Sequence, residues 1–426
     1  MVSSKGFLWA EHGLQPRLII NNKGRKIMTN PISQNRLVFL DNLRYFIVLL
    51  VVIVHVGISY ANVVPWWYVV DANKHSFFDG LGIVLDSFIM PVMFFIAGYF
   101  ALISQRRRTM GAFMIAKLKR LGIPWFFGVF FLVPVMPYMY HYTRAITPLS
   151  FWEFWQGFVK SAVDFNLTLG DPNQFTNDMN SMNGFFHHHL WFISLLLFFF
   201  IGFALLYQIK SKFWGSRKQS EDTSIQAMWI ALITTGIVIS LSVTLINYFI
   251  SDMAWVNIYN VLIFQPTRFP LYLGLFALGI YASSKNWFTK HDLPGSLLLW
   301  FIASLILLFI LLGIIASIFD KIYAANPIPF RLILMHGFVR TFFVLAFLVF
   351  LISFTQRYWN RSSKIHQNLA ASSYDIYLLH LPIVVILQFL FLTVNISIFL
   401  KFAIIVLLSI SLSYGISHYF IRRFLV

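Results

Sequence analysis

The chain has 426 residues, of which 59% are hydrophobic and only 11% charged, with a mean hydropathy of +0.74. Soluble domains carry roughly 25% charged residues, and so little charge cannot clothe this much apolar side chain in water, which excludes a soluble enzyme and a disordered chain. The formal net charge of +17 would point to nucleic acid in a soluble protein, but in so apolar a chain basic loop residues set membrane orientation instead. A nucleic-acid-binding module is excluded with the rest. The absence of cysteine removes disulfides, thiolate catalysis and cysteine-held metals. The composition implies an all-α, polytopic bundle of transmembrane helices.

Residues 1–35 are polar and basic, with no apolar core of signal-peptide type. They are expected to form a cytoplasmic tail or an interfacial arm, leaving 36–426 as a single transmembrane domain. A window of about 20 apolar residues predicts ten spans, at 43–61, 81–103, 121–140, 189–208, 227–250, 261–283, 296–319, 333–355, 374–394 and 397–420. Pro266, Pro270 and Arg340 interrupt the sixth and eighth of these. Alternating the ten spans from a cytoplasmic N-terminus puts 24 of the 32 Lys and Arg on the cytoplasmic side. The other 8 are Lys74, Arg144, Lys160, Arg268, Lys321, Arg331, Arg340 and Lys401. That asymmetry predicts that both termini are cytoplasmic.

One connection is long, residues 141–188, predicted to be external. Loops beyond about 15 residues are usually functional or disordered. Its half at 151–165, with Trp152, Glu153 and Trp155, suits an interfacial helix. Its half at 166–184, with Asp171 and Asp178, reads as an exposed excursion.

Ionisable groups inside a span are costly and default to functional candidates. His55 lies 11 residues after Arg44, about 16 Å along a helix, and so near mid-membrane among apolar neighbours. Imidazole suits proton transfer near neutral pH; the alternative is a packed histidine bonded to another helix. Asp41 and Arg44, three residues apart, share a helix face, as a local ion pair or as an entrance beneath His55. Arg106, Arg107 and Arg108 can simply enforce orientation or bind anionic lipid. Lys117, Lys119 and Arg120, which run into the third span, are better placed to hold phosphates. His189 begins the fourth span and His380 lies in the ninth, each structural or catalytic. The run His187–His189 looks like a metal tract, but consecutive helical residues point in different directions, and no metal site is expected.

The constellation resembles a known family. Asp41-Asn-Leu-Arg44 followed by His55-Val-Gly57 is similar to the first span of the acyltransferase-3 family of membrane acyltransferases. Met90-Pro-Val-Met-Phe-Phe-Ile-Ala-Gly98 resembles its second-span signature, with Ala97 where Ser is common, and Lys117-Leu-Lys-Arg-Leu-Gly-Ile-Pro124 resembles its basic run, with lysines where arginines are frequent. His189-Leu-Trp191-Phe and Ser373-Tyr-Asp-Ile-Tyr377-Leu-Leu-His380-Leu-Pro382 resemble its fourth-span and late-helix motifs. The nearest group is the one similar to glucan biosynthesis protein C, associated with succinylation of periplasmic glucans.

The resemblance implies an O-acyltransferase of the bacterial inner membrane, with no bound cofactor. It would take an acyl group, succinyl in the nearest group, from cytoplasmic acyl-CoA to a carbohydrate hydroxyl across the membrane. His55 with Asp41 would be catalytic. Arg44, Lys117, Lys119 and Arg120 would hold the donor, and His189, Trp191, Tyr377 and His380 would serve the acceptor side or support the site. The bilayer is the implied partner besides donor and acceptor, nucleic acid is not, and a homo-oligomer is left open. The rival reading is a proton-coupled transporter or flippase of a polar metabolite or glycolipid, with His55 as relay.

Overall fold

The computed structural model describes residues 17–20, 26–29, 37–146, 150–163, 167–170, 185–214, 224–290, 293–323 and 326–424. Among them, nine helices are long and apolar enough to cross a membrane, the mark of a multi-pass integral membrane protein. A two-stranded antiparallel hairpin, β1 (Arg17–Ile20) and β2 (Lys26–Thr29), precedes the bundle. The chain continues through α1 (Val38–Ile58), α2 (Ser76–Arg106), α3 (Met110–Thr143), the short α4 (Phe151–Ser161) and β3 (Leu167–Gly170). Next come α5 (Trp191–Trp214), α6 (Ile225–Phe249), β4 (Trp255–Ile258), β5 (Leu262–Phe264) and α7 (Phe269–Ser284). The last four helices are α8 (Leu297–Tyr323), α9 (Phe330–Tyr358), α10 (Lys364–Leu390) and α11 (Ile398–Ile416).

Short polar side chains start several of these helices by accepting orphan backbone N–H groups. Thr109, Ser224 and Ser363 do so for α3, α6 and α10, and Ser150 and Glu153 form a capping box on α4. That helix occupies Phe151–Ser161 of the 151–165 half, where a helix was expected. Asp164, Asp171 and Asp178 lie outside the described residues. Strand β3 was not anticipated: it pairs antiparallel with β4, which pairs with β5. The sheet therefore ties the 141–188 connection to residues 255–264 at one end of the bundle.

The sixth expected span, 261–283, is corrected. Tyr259 and Asn260 adopt left-handed backbone angles (φ 52° and 56°) and reverse the chain between β4 and β5. Pro266 and Pro270 then delay the helix to Phe269. With 16 residues, α7 is about 24 Å long, short of a full hydrocarbon core of about 30 Å. It lies parallel to α2, from the Arg268–Asp86 ion pair at its start to Gly279 further along. A Cβ on Gly98 would meet the Phe276 carbonyl oxygen at 2.0 Å, and one on Gly279 would meet that of Phe95 at 2.2 Å. The second-span signature thus ends in a glycine because two backbones touch there.

The third span is also longer than expected, 34 residues or about 51 Å, and two π-turns interrupt it at Leu118–Gly122 and Gly128–Leu132. Each is closed by an i−5 bond, Ile123 N–H to Leu118 O and Val133 N–H to Gly128 O, one residue before Pro124 and Pro134. A proline ring crowds the carbonyl four residues back, and widening the preceding turn relieves it. The basic run Leu118-Lys119-Arg120 lies in the first of these turns.

Ion pairs absorb the charges expected inside the bundle. Arg340, which interrupts the eighth expected span, bonds Asp252 at 3.0 and 3.2 Å. Arg340 sits below the usual exposure of a charge, at 7%, and holds the Asp252 carboxyl below the ordinary range despite its burial.

Candidate functional site

The site has two ends, joined by α1. At one end three histidines from three helices converge. His55 lies in the last turn of α1, not at its middle, because the helix stops at Ile58 and residues 59–75 fold over its end. Its ring centroid is 5.0 Å from that of His380 on α10, which is 5.1 Å from that of His189 at the start of α5.

The hydrogen bonds determine which nitrogens carry protons. His55 Nδ1 is 2.8 Å from the Val51 carbonyl oxygen, and His380 Nδ1 is 2.7 Å from that of Tyr377. A carbonyl only accepts, so both Nδ1 atoms are protonated. His380 Nε2, 3.1 Å from His55 Nδ1, is then an acceptor for the same His55 N–H. In the neutral ring His55 Nε2 is left unprotonated, as a base requires. His189 Nε2 donates to the Leu378 carbonyl at 3.1 Å, and the Tyr377 hydroxyl donates to the His189 carbonyl.

Residues 59–75 complete this end. Trp67 stacks on His55 at 5.8 Å and 17° and donates through Nε1 to Gln388 Oε1 at 3.0 Å. Gln388 in turn donates to the His55 and Val56 carbonyls, both at 3.1 Å, fixing the end of α1 to α10. Arg144 holds the segment from below by donating to the carbonyls of Pro65, Trp67 and Tyr68 at 2.9, 2.9 and 3.2 Å. Lys401 on α11 meets Asp71 at 2.7 Å, both buried.

Beside them the Tyr68 hydroxyl is hydrogen-bonded to His188 Nδ1, and His187 Nε2 donates to the Asn260 carbonyl at 2.9 Å. Burial pushes His187 down to about 4, against the opposing effect of that hydrogen bond. The consecutive histidines 187–189 thus serve three separate partners. Among the described residues no group of three or more His, Asp or Glu is arranged to hold a metal.

At the other end, Arg44 bridges Asp41 at 3.1 Å and donates to Ala370 O and Ser373 Oγ on α10 at 3.0 and 3.3 Å. Arg120 is solvent-exposed although protein surrounds it, and it lies within electrostatic reach of Arg44, Asp41, Tyr374 and Asp375. Lys119 is exposed beside it. Lys117 turns towards α5, its ammonium 4.0 Å from the Phe200 ring centroid. Of the predicted residues, then, the structure groups His55, His189, Tyr377 and His380 at one end, and Asp41, Arg44 and Arg120 at the other. Trp191 packs on Tyr272 and Trp255, at 5.5 and 5.7 Å, next to the histidine end.

Sequence reasoning missed Trp67, Tyr68, Arg144 and Gln388. Gln388 carried a signal, as an amide inside an apolar span. Trp67 and Tyr68 carried none, since a tryptophan near a span end reads as belt.

The sequence matches the acyltransferase-3 family, an acyltransferase domain, over residues 37–418. Curated relatives include the glucans biosynthesis protein C of Escherichia coli strains SMS-3-5 and K12, each 26% identical over 168 residues, or 39% of this chain. The match spans 38% of the length of those relatives. No solved structure matches the chain.

Proposed function

The chain belongs to the acyltransferase-3 family, and we propose that it is a membrane O-acyltransferase passing an acyl group from an acyl-CoA to a carbohydrate hydroxyl. The basic end would face the cytoplasm with both termini, in a bacterial inner membrane. Glucan is the favoured acceptor and succinyl the favoured acyl group, on the likeness to the glucans biosynthesis protein C sequences. The observation that carries the reading is the fixed tautomer of His55, whose Nδ1–H is shared by Val51 O and His380 Nε2.

In this scheme Arg44, Arg120 and Lys119 meet the donor's phosphates. Its extended arm runs along α1 to bring the thioester to His55, 11 residues from Arg44 and about 16 Å away. His55 Nε2 takes the proton of the acceptor hydroxyl as its oxygen attacks the thioester carbonyl. The C–S bond breaks, and the imidazolium returns the proton to the departing thiolate, leaving an ester and free CoA. The positive ring keeps its Nδ1–H on His380 throughout, and Asp41 holds Arg44 in place. Trp67 and residues 59–75 exclude water from the reacting atoms. Acyl-CoA is a co-substrate, and the chemistry calls on no further cofactor.

The test is release of free thiol from succinyl-CoA by purified protein in detergent, with glucan present, and mass spectrometry of the glucan. General-base contributions are about 10²–10⁴-fold. Monodisperse His55→Ala is therefore expected to bind donor yet transfer at less than about a hundredth of the wild-type rate. Transport of a polar solute with no thiol release would favour the transporter reading.

A further inference from the structure

Asp86 is a carboxylate ten residues into α2, about 15 Å from its start, and 53% of its side chain is exposed. A charge that deep in an apolar helix is costly and defaults to a functional candidate. Arg268, at the start of α7, closes on it at 2.6 Å and is itself only 13% exposed. In the Arg340–Asp252 pair the arginine is again the more hidden partner, at 7%, but its carboxylate is only 25% exposed. Here the arginine is anchored and the carboxylate is presented.

Three further observations locate this carboxylate. Asp86 on α2 lies within electrostatic reach of His55 on α1. The Tyr272 ring stacks on Phe94 at 4.8 Å and packs against Trp191 at 5.5 Å, and Arg268 is hydrogen-bonded to Tyr272. Phe94 and Tyr272 are buried in this stack, and Trp191 is its partly exposed member, next to the ion pair's tyrosine. Arg268 Nε is buried without a hydrogen-bond partner, a donor still to be satisfied. The pair is neutral overall, unlike the basic end around Arg44 and Arg120, so it offers no attraction to a polyanion. It combines a carboxylate acceptor, a guanidinium donor and the partly exposed indole of Trp191, which is the chemistry that receives a neutral polyhydroxyl ring.

We propose that Asp86, held by Arg268, forms the acceptor subsite beside His55 and binds hydroxyls of a neutral carbohydrate. The proposal rests on the O-acyl-transfer reading and extends it to the acceptor. Asp86 orients one sugar hydroxyl so that a neighbouring hydroxyl meets His55 Nε2.

The experiment measures steady-state kinetics of the full chain in detergent, with succinyl-CoA and a neutral β-gluco-oligosaccharide. Asp86→Asn is expected to raise the acceptor KM roughly tenfold or more, with the donor KM within about twofold of wild type. Asp86→Glu should give a smaller rise in acceptor KM and carries the same test if Asp86→Asn does not fold. An unchanged acceptor KM overturns the proposal, as does a parallel rise in both KM values, which marks a structural ion pair. Preference for an anionic over a neutral oligosaccharide also overturns it. If wild type acylates no hydroxyl, the acyl-transfer reading fails separately. Quenching of tryptophan fluorescence by the oligosaccharide then decides the subsite, which requires weaker binding by Asp86→Asn than by wild type and is overturned by equal binding or none.

Discussion

The two ends of α1 are built on opposite plans. Around His55 the contacts form a fixed arrangement: Val51 O and His380 on its Nδ1, Gln388 on its carbonyl, Trp67 on its face. Around Arg44 the charges are more open, and Arg120 and Lys119 are exposed. A group that must move one proton at one atom gains from a rigid, dry setting. A group that must meet several phosphates gains from reach and access. Rigidity at one end and openness at the other are what a transfer reaction between two unlike substrates requires.

Loss of the imidazole in His55→Ala should have the largest effect, removing transfer while sparing donor binding. Next comes His380. His380→Leu deletes the acceptor of the His55 N–H and should lower kcat about 10–100-fold, with little change in either KM. His380→Gln, whose Oε1 can stand near Nε2, should retain most of the activity. Equal rates for Leu and Gln, or an unshifted pH–rate profile in the Leu variant, would show that His380 only packs.

Asp86→Asn follows, through the acceptor KM. At the open end, Arg120→Gln should raise the donor KM roughly tenfold at low salt, and less at high salt. Lys117→Gln, whose ammonium lies over Phe200, should change the donor KM less than Arg120→Gln does. Identical donor affinities in Arg120→Gln and wild type would erase the distinction between the ends.

The smallest effect concerns His187. Its folded-state pKa, about 4, is below the ordinary 6.5, so the fold holds it neutral. The associated stability is complete above about pH 6.5 and is lost as the pH falls towards about 4, where the folded form also takes up the proton. His187→Gln should therefore flatten the decline of Tm with acidification over that window. A slope equal to that of wild type would remove His187 from the pH response.

Membrane class and nine of the ten expected spans were legible because each depends on local facts, and so was the singling out of Asp41, Arg44, His55, Arg120, His189 and His380 as candidates. Twenty apolar residues in a row need lipid whatever surrounds them, and an ionisable group inside such a run announces itself. The shortened sixth helix was not legible. Hydropathy cannot see that Tyr259 and Asn260 turn left-handed, or that β4 finds β3 some 90 residues earlier in the chain.

Pairing across the chain was equally hidden. Nothing near residue 67 says that its indole will lie on His55, because that placement is made by Arg144 and Gln388, 77 and 321 residues away. Asp86 and Arg268 stood in the sequence as two isolated charges 182 residues apart. Only the parallel packing of α2 on α7, allowed by Gly98 and Gly279, makes them one site. Hydropathy and span count are sums over neighbours in the chain, so the sequence carries them directly. A tautomer or an acceptor subsite depends on atoms brought within about 3 Å from distant segments, and that proximity exists only once the helices have packed.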